Sequence, residues 1–192
     1  MKKSLLFAML LAFTGATAPV NAAEMNAQLA ELAEQQFADW LDDPGLMAAL
    51  ATQNAAHSGL SQTDIDTLDR TWRAEISSAD TPLIDDVLGR AASDYLRDRK
   101  DETDGLITEV FLMDNRGLNV AQSDLTSDYW QGDEAKFQET YGKGAGSIHI
   151  SEVELDESTG TYQSQVSMVV TDPASGAPMG AITFGVNVDY LN

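Results

Sequence analysis

The chain has 192 residues, no cysteine, and 31 acidic against 11 basic side chains, which give a formal net charge of −20 at pH 7. This acidic balance argues against a protein that binds nucleic acid or an anionic membrane, because phosphate recognition requires a basic surface. The missing cysteine excludes disulfides, a thiolate nucleophile and a cysteine-ligated zinc or iron–sulfur site. The length fits one domain with an extension, and the hydrophobic fraction of 43% fits an ordinary globular core.

The first 22 residues have the layout of a cleaved Sec signal peptide. Lys2 and Lys3 precede an apolar run from Leu5 to Phe13, and small residues lead up to a cleavage site after Ala22. The run is too short to cross a bilayer, which takes about 20 apolar residues. We therefore expect a periplasmic protein without membrane insertion after cleavage. After removal of residues 1–22, nine basic and 31 acidic residues remain and give a net charge of −22. An uncleaved anchor is the alternative.

Residues 23–79 are predicted to form an N-terminal helical segment. Apolar residues recur at spacings of three and four from Glu24 to Asp42, which places them on one face of a helix. Asp43 and Pro44 then predict the N-cap and the first residue of a second short helix through Ala56.

Two further helices are predicted before the chain changes character. Ser61 and Asp64 form a capping arrangement for the third helix. Thr81 before a proline gives the next start signal, and one apolar stripe continues from there to Leu96 in a fourth helix. A charged exit segment follows and ends at Gly105.

After Gly105 the hydrophobic period changes to that of β-strands. A turn at residues 114–117 joins the first two strands in a hairpin, and turns of hairpin length separate the last strands. One strand has a slip in its alternation near Ser151 and Glu152. The predicted elements are strands at 106–113 and 118–122, a helix at 133–141, and strands at 147–155, 162–171 and 179–188.

This order of elements predicts an α+β fold. Strands in consecutive hairpins form an antiparallel sheet, and helices gathered before the sheet pack on it as a separate layer. The predicted architecture is a PAS-like five-stranded antiparallel sheet preceded by N-terminal helices. A two-strand, helix, three-strand module after a long helix is the arrangement of PAS-like extracytoplasmic sensor domains.

Three segments carry a resemblance to a known family, and they lie at Phe111–Ala121, Thr126–Glu134 and Gly180–Asn187. Together they resemble a single Cache domain, the PAS-like sensor module of bacterial receptors and kinases. The resemblance covers about residues 80–192, and its most specific part is Asp128–Glu134. It implies a sensor domain at 80–192 that binds a small-molecule ligand.

The loop after the predicted hairpin holds the main ligand-binding candidates. Tyr129, Trp130 and Asp133 place two aromatic faces and a carboxylate within five residues, which suits an ammonium group or a sugar. The family resemblance implies that this loop and the following helix form one wall of the ligand pocket. The alternative is structural: the two aromatic side chains fill the core, and Asp133 caps a helix that begins at Glu134.

Five further residues are secondary candidates for ligand contacts. Arg116 lies in the hairpin turn and Lys136 on the later helix, where each either holds an anionic group or faces solvent. Ser123 and Asp124 close the second strand beside the same loop. His149 lies on the opposite face of its strand from the flanking isoleucines, and it faces either the pocket or solvent.

The sequence has no signature of catalysis, and we expect neither a cofactor nor a metal. His57 and His149 are far apart, no zinc-binding spacing occurs, and the serine-hydrolase and phosphate-loop motifs are missing. We expect a non-enzymatic sensor. Two alternatives stay open, namely a secreted enzyme of unrecognised type and a module that acts only by docking through its N-terminal helices. The docking alternative rests on Phe37, Trp40 and Trp72, large aromatic side chains that would need a partner to bury them unless they pack against the rest of this chain.

The predicted partner is a membrane protein. A receptor of the Cache type continues into a transmembrane helix and a cytoplasmic output domain, whereas this sequence ends at Asn192. We therefore expect the chain to relay ligand binding to a histidine kinase, a chemoreceptor or a cyclase in the membrane.

Overall fold

A computed structural model describes residues 22–156 and 160–191. The predicted signal peptide, apart from Ala22, lies outside the described residues. Within the described ranges, no helix is both long enough and apolar enough to cross a membrane.

The helical half begins with a long helix that tightens and loosens along its length. Helix α1 (Ala22–Leu32) continues through a π-helical turn (Ala33–Phe37) and a 3₁₀ turn (Ala38–Asp42). The helices that follow are α2 (Pro44–His57), α3 (Gln62–Glu75), α4 (Pro82–Leu88) and α5 (Ala91–Asp101). The predicted caps are present. Asp43 Oδ1 accepts a hydrogen bond from the Leu46 N–H at 2.7 Å, and Ser61 and Asp64 form a reciprocal capping box.

The predicted fourth helix is wrong in one respect, because its apolar stripe is divided between α4 and α5. The Gly89 N–H still bonds to Asp85 O, at 2.9 Å, but Arg90 adopts an extended backbone and becomes the N-cap of α5. The Arg90 guanidinium bonds to Val120 O of the sheet at 2.7 Å. Glycine has a low helix propensity, and this anchored arginine turns the chain before α5 begins.

The second half forms one antiparallel sheet. Its strands are β1 (Ile107–Met113), β2 (Asn119–Gln122), β3 (Ile148–Ile150), β4 (Glu154–Asp156), β5 (Thr161–Thr171) and β6 (Pro178–Asn187), and a 3₁₀ turn (Val188–Leu191) follows them. The order across the sheet is β2-β1-β6-β5-β3, and β4 also pairs with β5. Strands β3 and β4 therefore share one edge position, interrupted at the predicted slip. If β3 and β4 are counted as one strand, the sheet has five strands, and their order across the sheet is 2-1-5-4-3 by position in the chain. This arrangement confirms the predicted PAS-like α+β fold.

The helix between the hairpin and the last strands is shorter than predicted. Helix α6 covers only Ala135–Gln138, and Glu134 takes the N-cap position without a side-chain cap bond. The Glu134 carboxylate instead pairs with Lys136 Nζ at 2.9 Å. Asp133 is exposed and lies one residue too early to cap this helix, so its predicted capping role is wrong.

Helices α1, α2 and α5 cover one face of the sheet, called here the helix face. Phe37 stacks on Phe184 with ring centroids 4.2 Å apart, and Trp40 meets the same ring edge-on at 5.3 Å. Trp72 of α3 stacks on Tyr129 at 5.3 Å, in a second, smaller core beyond strand β2. The three aromatic residues that motivated the docking alternative are therefore covered by this chain itself.

Gly180 of β6 provides a stability test of the close contact between α2 and the sheet. A Cβ atom at this position would overlap the Met113 carbonyl oxygen and lie 3.1 Å from Leu50 Cδ1. We expect Gly180→Ala to lower the free energy of unfolding by about 1 to 3 kcal/mol, measured by urea denaturation.

The matched control is Gly59→Ala, because a Cβ atom there has no neighbour within 4 Å. We expect it to change the free energy of unfolding by less than about 0.5 kcal/mol. Equal stability of the two variants would contradict the packing described here.

Candidate functional site

The second face of the sheet, called here the cleft face, is only partly covered. Phe111, Met113 and Ala181 pack there against Phe137 of α6. Beside this contact the sheet, α6 and the loop of residues 123–134 enclose two adjoining cavities of about 330 and 300 Å³, which share Lys136, Gln163 and Gln165. We call the joined space the sheet cleft; the lining residues used below are Glu109, Phe111, Gln131, Lys136, His149, Gln163 and Gln165.

The floor of the sheet cleft has an acidic centre. Glu109 Oε1 accepts hydrogen bonds from Gln163 Nε2 at 3.2 Å and from Gln165 Nε2 at 3.0 Å. Gly185 lies between these strands, and a Cβ atom there would lie 2.7 Å from Glu109 Cγ and 2.8 Å from Gln163 Oε1. The glycine therefore makes room for a carboxylate held between two amides, a group that can accept further hydrogen bonds from an ammonium or hydroxyl group.

The opposite wall carries a cation. Lys136 of α6 has a side chain that is only 14% exposed, and its Nζ lies 2.9 Å from Glu134 and 3.3 Å from Gln131 Oε1. The same atom lies 5.3 Å from the centroid of the Phe111 ring, a cation–π distance. The cleft thus presents a positive charge above an aromatic floor, facing the acidic centre on the sheet.

His149 belongs to the same surface. It is paired with Ser167 of β5, whose Oγ lies 2.9 Å from Thr183 Oγ1, so a polar row crosses the cleft face from β3 to β6. Its neighbours Ile148 and Ile150 pack on the helix face. Of the two positions open to His149 in the sequence, the structure places it on the cleft wall.

Helix α3 holds the loop that forms the outer wall. Asp69 Oδ1 accepts the backbone N–H groups of Tyr129 and Trp130, both at 3.0 Å. Trp72 Nε1 donates to Thr126 O at 2.8 Å, and Arg73 bridges Asp69 and Asp128 at 2.8 and 2.7 Å. This set of contacts, called here the α3 clamp, fixes the backbone of residues 126–130, and Thr126 is itself a wall of the sheet cleft.

Two buried amides lie behind this wall. Asn119 Nδ2 donates to Thr126 Oγ1 at 3.0 Å and to Gln122 Oε1 at 2.9 Å. Asn119 Oδ1 and Gln122 Nε2 are buried and have no hydrogen-bond partner among the described residues. An unpaired buried polar atom costs about 1 to 3 kcal/mol, so the cleft face retains one acceptor and one donor with unused hydrogen-bonding capacity.

The two aromatic candidates of the loop do not line the sheet cleft. Tyr129 is 2% exposed and belongs to the smaller core with Trp72 and Leu118. Trp130 packs against the same core, and its Nε1 donates to Arg116 O at 2.8 Å. The geometry places these side chains in the packing of the loop, which is the structural alternative, and their predicted ligand contacts have no support from their positions.

The remaining candidates are dispersed. The Arg116 guanidinium donates to the Leu60 carbonyl oxygen, away from the cleft. Ser123 is buried, and its Oγ accepts the Val110 N–H at 2.9 Å. Asp124 is exposed and pairs with Lys100 at 2.8 Å. The structure therefore brings together only Lys136 and His149 of the eight predicted site residues.

The cleft residues missed by the sequence analysis are Glu109, Phe111, Gln131, Gln163 and Gln165. A signal for three of them was present. Glu109 is the one charged residue of β1, and Gln163, Gln165 and Ser167 occupy every second position of β5. Because side chains alternate between the two faces of a strand, Gln163, Gln165 and Ser167 share one face of the sheet. The alternation does not tell which face of the sheet remains open.

Comparisons with known proteins give a structural likeness and no sequence relative. No family model matches the chain, and no curated protein matches it. The isoleucine-bound sensory domain of the Campylobacter jejuni chemoreceptor Tlp3 is 16% identical with a TM-score of 0.42, over 85% of this chain and 64% of that structure. The sensor domain of the V. cholerae histidine kinase DctB is 15% identical with a TM-score of 0.38, over 86% and 57%.

A third structure is the extracellular domain of the putative histidine kinase vpHK1S-Z8, at 14% identity and a TM-score of 0.47, over 88% of this chain and 56% of that one. The first two are sensory domains and the third is an extracellular domain, each from a chemoreceptor or a histidine kinase. The chain spans less than two thirds of each structure's length. The TM-scores lie below 0.5, so the site is assigned from the geometry of this chain.

The α3 clamp can be tested at Asp69. We expect Asp69→Ala to lower the free energy of unfolding by about 2 to 4 kcal/mol, because it leaves two backbone N–H groups without their acceptor and removes one of the two carboxylates that pair with Arg73. Asp66→Ala is the control, since this carboxylate accepts only an exposed hydrogen bond from Gln62. Urea denaturation measures both, and equal effects would contradict the clamp.

The buried phenol of Tyr129 gives a prediction of pH dependence. Burial raises the pKa of Tyr129 to about 12, against an opposing effect of the Arg90 guanidinium. The folded state thus favours the neutral phenol, so this contribution to stability is complete below the unfolded pKa of about 10 and is lost as the pH rises from there toward 12. Absorbance titration should find one phenol group that ionises at higher pH than the others. This high-pH ionisation should be absent from Tyr129→Phe and present in the control Tyr162→Phe, whose substituted side chain is exposed.

Proposed function

We propose that this chain is an exported, non-enzymatic sensor domain whose sheet cleft binds a small organic molecule that carries an amine and a carboxylate. The observation that carries the proposal is the pairing of opposite charges across one cleft. Glu109, between two glutamine amides, lies on the sheet, and Lys136 lies on α6 above Phe111.

The chemistry of the two walls fits the two ends of such a ligand. An ammonium group finds acceptors at Glu109. A carboxylate finds the Lys136 ammonium group, whose carboxylate partner among the described residues is Glu134, with a side chain that is 39% exposed. Phe111 provides an apolar surface between them, and His149 adds one more polar contact on the wall. Cavities of about 330 and 300 Å³ suit a metabolite of a few carbon atoms.

The α3 clamp offers a route by which ligand binding is relayed. Thr126 and Gln131 line the cleft, and the backbone between them is bonded to Asp69 and Trp72 of α3. A ligand that favours one position of this loop therefore shifts α3 with it. Such a shift requires only that the ligand binds the two loop positions with different affinities.

The receiver that fits this role is a membrane histidine kinase, chemoreceptor or cyclase. Tlp3 and DctB, which this chain resembles in fold, are a chemoreceptor and a histidine kinase, and the Tlp3 structure has isoleucine bound. The charge pairing of the cleft supports the same kind of ligand here. The predicted periplasmic location supports a partner whose receptive surface lies outside the cytoplasm.

The test is a thermal-shift screen of the purified protein with amino acids, small carboxylates and small amines. We expect at least one amino acid to raise the melting temperature, and calorimetry should then give its dissociation constant. Glu109→Gln and Lys136→Met should each weaken binding by about tenfold or more, because each removes one charge that pairs with the ligand.

The controls are Glu139→Gln and Lys143→Met, which remove an exposed ion pair beyond α6 with N···O 3.6 Å. Both should bind the ligand as the parent protein does. Proton NMR of the mixture should find the ligand unconsumed, whereas turnover would favour the secreted-enzyme alternative. Failure of every compound to shift the melting temperature would contradict the proposal.

A further inference from the structure

A second cavity lies beside the helix face, between α2, α5 and strand β2. Its volume is about 590 Å³, within the range of small-molecule sites. The α2 wall includes Gly45, Ala49, Thr52 and Ala56, and the α5 wall begins with Ala91 and Ala92. We infer that this space, called here the helix cleft, is a binding site for a small carboxylate with an apolar body.

The helix cleft is open because small side chains face each other across it. Leu46 and Leu50 of the same helix α2 point into the core and are fully buried. On the cleft side, Ala49 and Ala56 are too short to reach α5, and Val120 forms the floor. An apolar ligand body would remove these methyl groups from water, which is the favourable term for binding.

One end of the helix cleft carries the Arg90 guanidinium and, beside it, the His57 imidazole. The Arg90 Nη1 group donates to Gln53 Oε1 and to Val120 O, both at 2.7 Å. Gln53 Nε2 in turn donates to Asp114 Oδ2 at 3.0 Å, and His57 Nδ1 lies 2.6 Å from the same oxygen. Since Gln53 is 6% exposed and Asp114 is fully buried, the network holds Arg90 and His57 in place before a ligand arrives.

Arg90 retains a donor that a carboxylate can use. Its Nη2 group donates to Asp86 Oδ2 at 2.6 Å, the Asp86 side chain is 63% exposed, and the Tyr129 hydroxyl group also contacts this guanidinium. An exposed ion pair contributes little, so a ligand carboxylate can take this position. The free N–H groups in the first turn of α5 add a positive field at the same end.

The charges at the two ends give the ligand an orientation. Asp43 also lines the cleft, but it lies at the N-terminus of α2, about 20 Å along the helix from His57. Asp43 and Arg90 are therefore at opposite ends of the cleft, with the alanine walls between them, and the acids at the Arg90 end, Asp86 and Asp114, are already paired with Arg90 and His57. The carboxylate belongs at the Arg90 end and the apolar body along the walls.

Calorimetry of the full chain with hexanoate, hexan-1-ol and hexylammonium tests this inference. We expect hexanoate to bind at one site and the other two probes to bind about tenfold more weakly or not at all. Equal binding of hexanoate and hexan-1-ol would overturn the carboxylate assignment, and no binding of hexanoate would overturn the site.

Two neighbouring alanines provide a matched pair of variants. Both Ala55 and Ala56 are exposed on α2, and only Ala56 lines the helix cleft. We expect Ala56→Phe to abolish hexanoate binding and Ala55→Phe to retain it, with melting temperatures confirming that both fold. Ala91→Phe fills the cleft from the opposite wall and should repeat the loss.

A further variant separates this site from the sheet cleft. Lys136→Met should leave hexanoate binding unchanged, because Lys136 lies on the other face of the sheet. Loss of hexanoate binding in Lys136→Met, or retention of binding in both Ala56→Phe and Ala91→Phe, would place the probe outside the helix cleft and overturn the inference.

Discussion

The buried carboxylate of Asp114 is the interaction on which the arrangement of helices and sheet depends. It is fully buried, and its Oδ1 accepts the N–H groups of Arg116 and Leu118 in the β1–β2 turn at 2.8 and 3.0 Å. Its Oδ2 contacts Gln53 and His57 of α2. One side chain therefore closes the hairpin and joins it to the helix that lies across the sheet.

A buried carboxylate is retained only where hydrogen bonds replace its water, and Asp114 receives four such contacts. Through Gln53 the network reaches Arg90, which starts α5 and bonds to β2. Asp69 plays the same part on α3, where it accepts two N–H groups of the cleft loop. Both carboxylates accept backbone N–H groups that lie outside the regular strands and helices, and each supports one of the two clefts.

The sequence predicts the elements well because their signals are local. The caps at Asp43 and Ser61, the turn at Asp114, and the slip near Ser151 each depend on residues a few positions apart. The break at Arg90 was missed because its cause is distant, namely the carbonyl of Val120 and the amide of Gln53. Local propensity carries no information about an acceptor that only the folded sheet supplies.

The candidate site was harder to predict because the sequence does not tell whether a loop side chain points into the cleft or towards a neighbouring helix. The loop of Tyr129 and Trp130 lines the sheet cleft through Thr126 and Gln131, but α3 occupies the side to which its aromatic rings point. Strand residues have a fixed alternation, so Glu109, Gln163 and Gln165 were predictable as one face. That the cleft face stays open is known only from the structure, in which the helices pack on the helix face.

The strongly negative charge gains its meaning from where the few cations lie. Most of the nine cations after residue 22 are paired with acids three or four residues away, as Arg97 is with Asp94 and Arg99 with Glu102. Arg116 instead holds the Leu60 carbonyl. Lys136 and Arg90 line the two clefts, and the side chains of their carboxylate partners, Glu134 and Asp86, are 39% and 63% exposed. An anion repelled by the overall charge can therefore be attracted at short range, where screening removes the distant acids but leaves these close contacts.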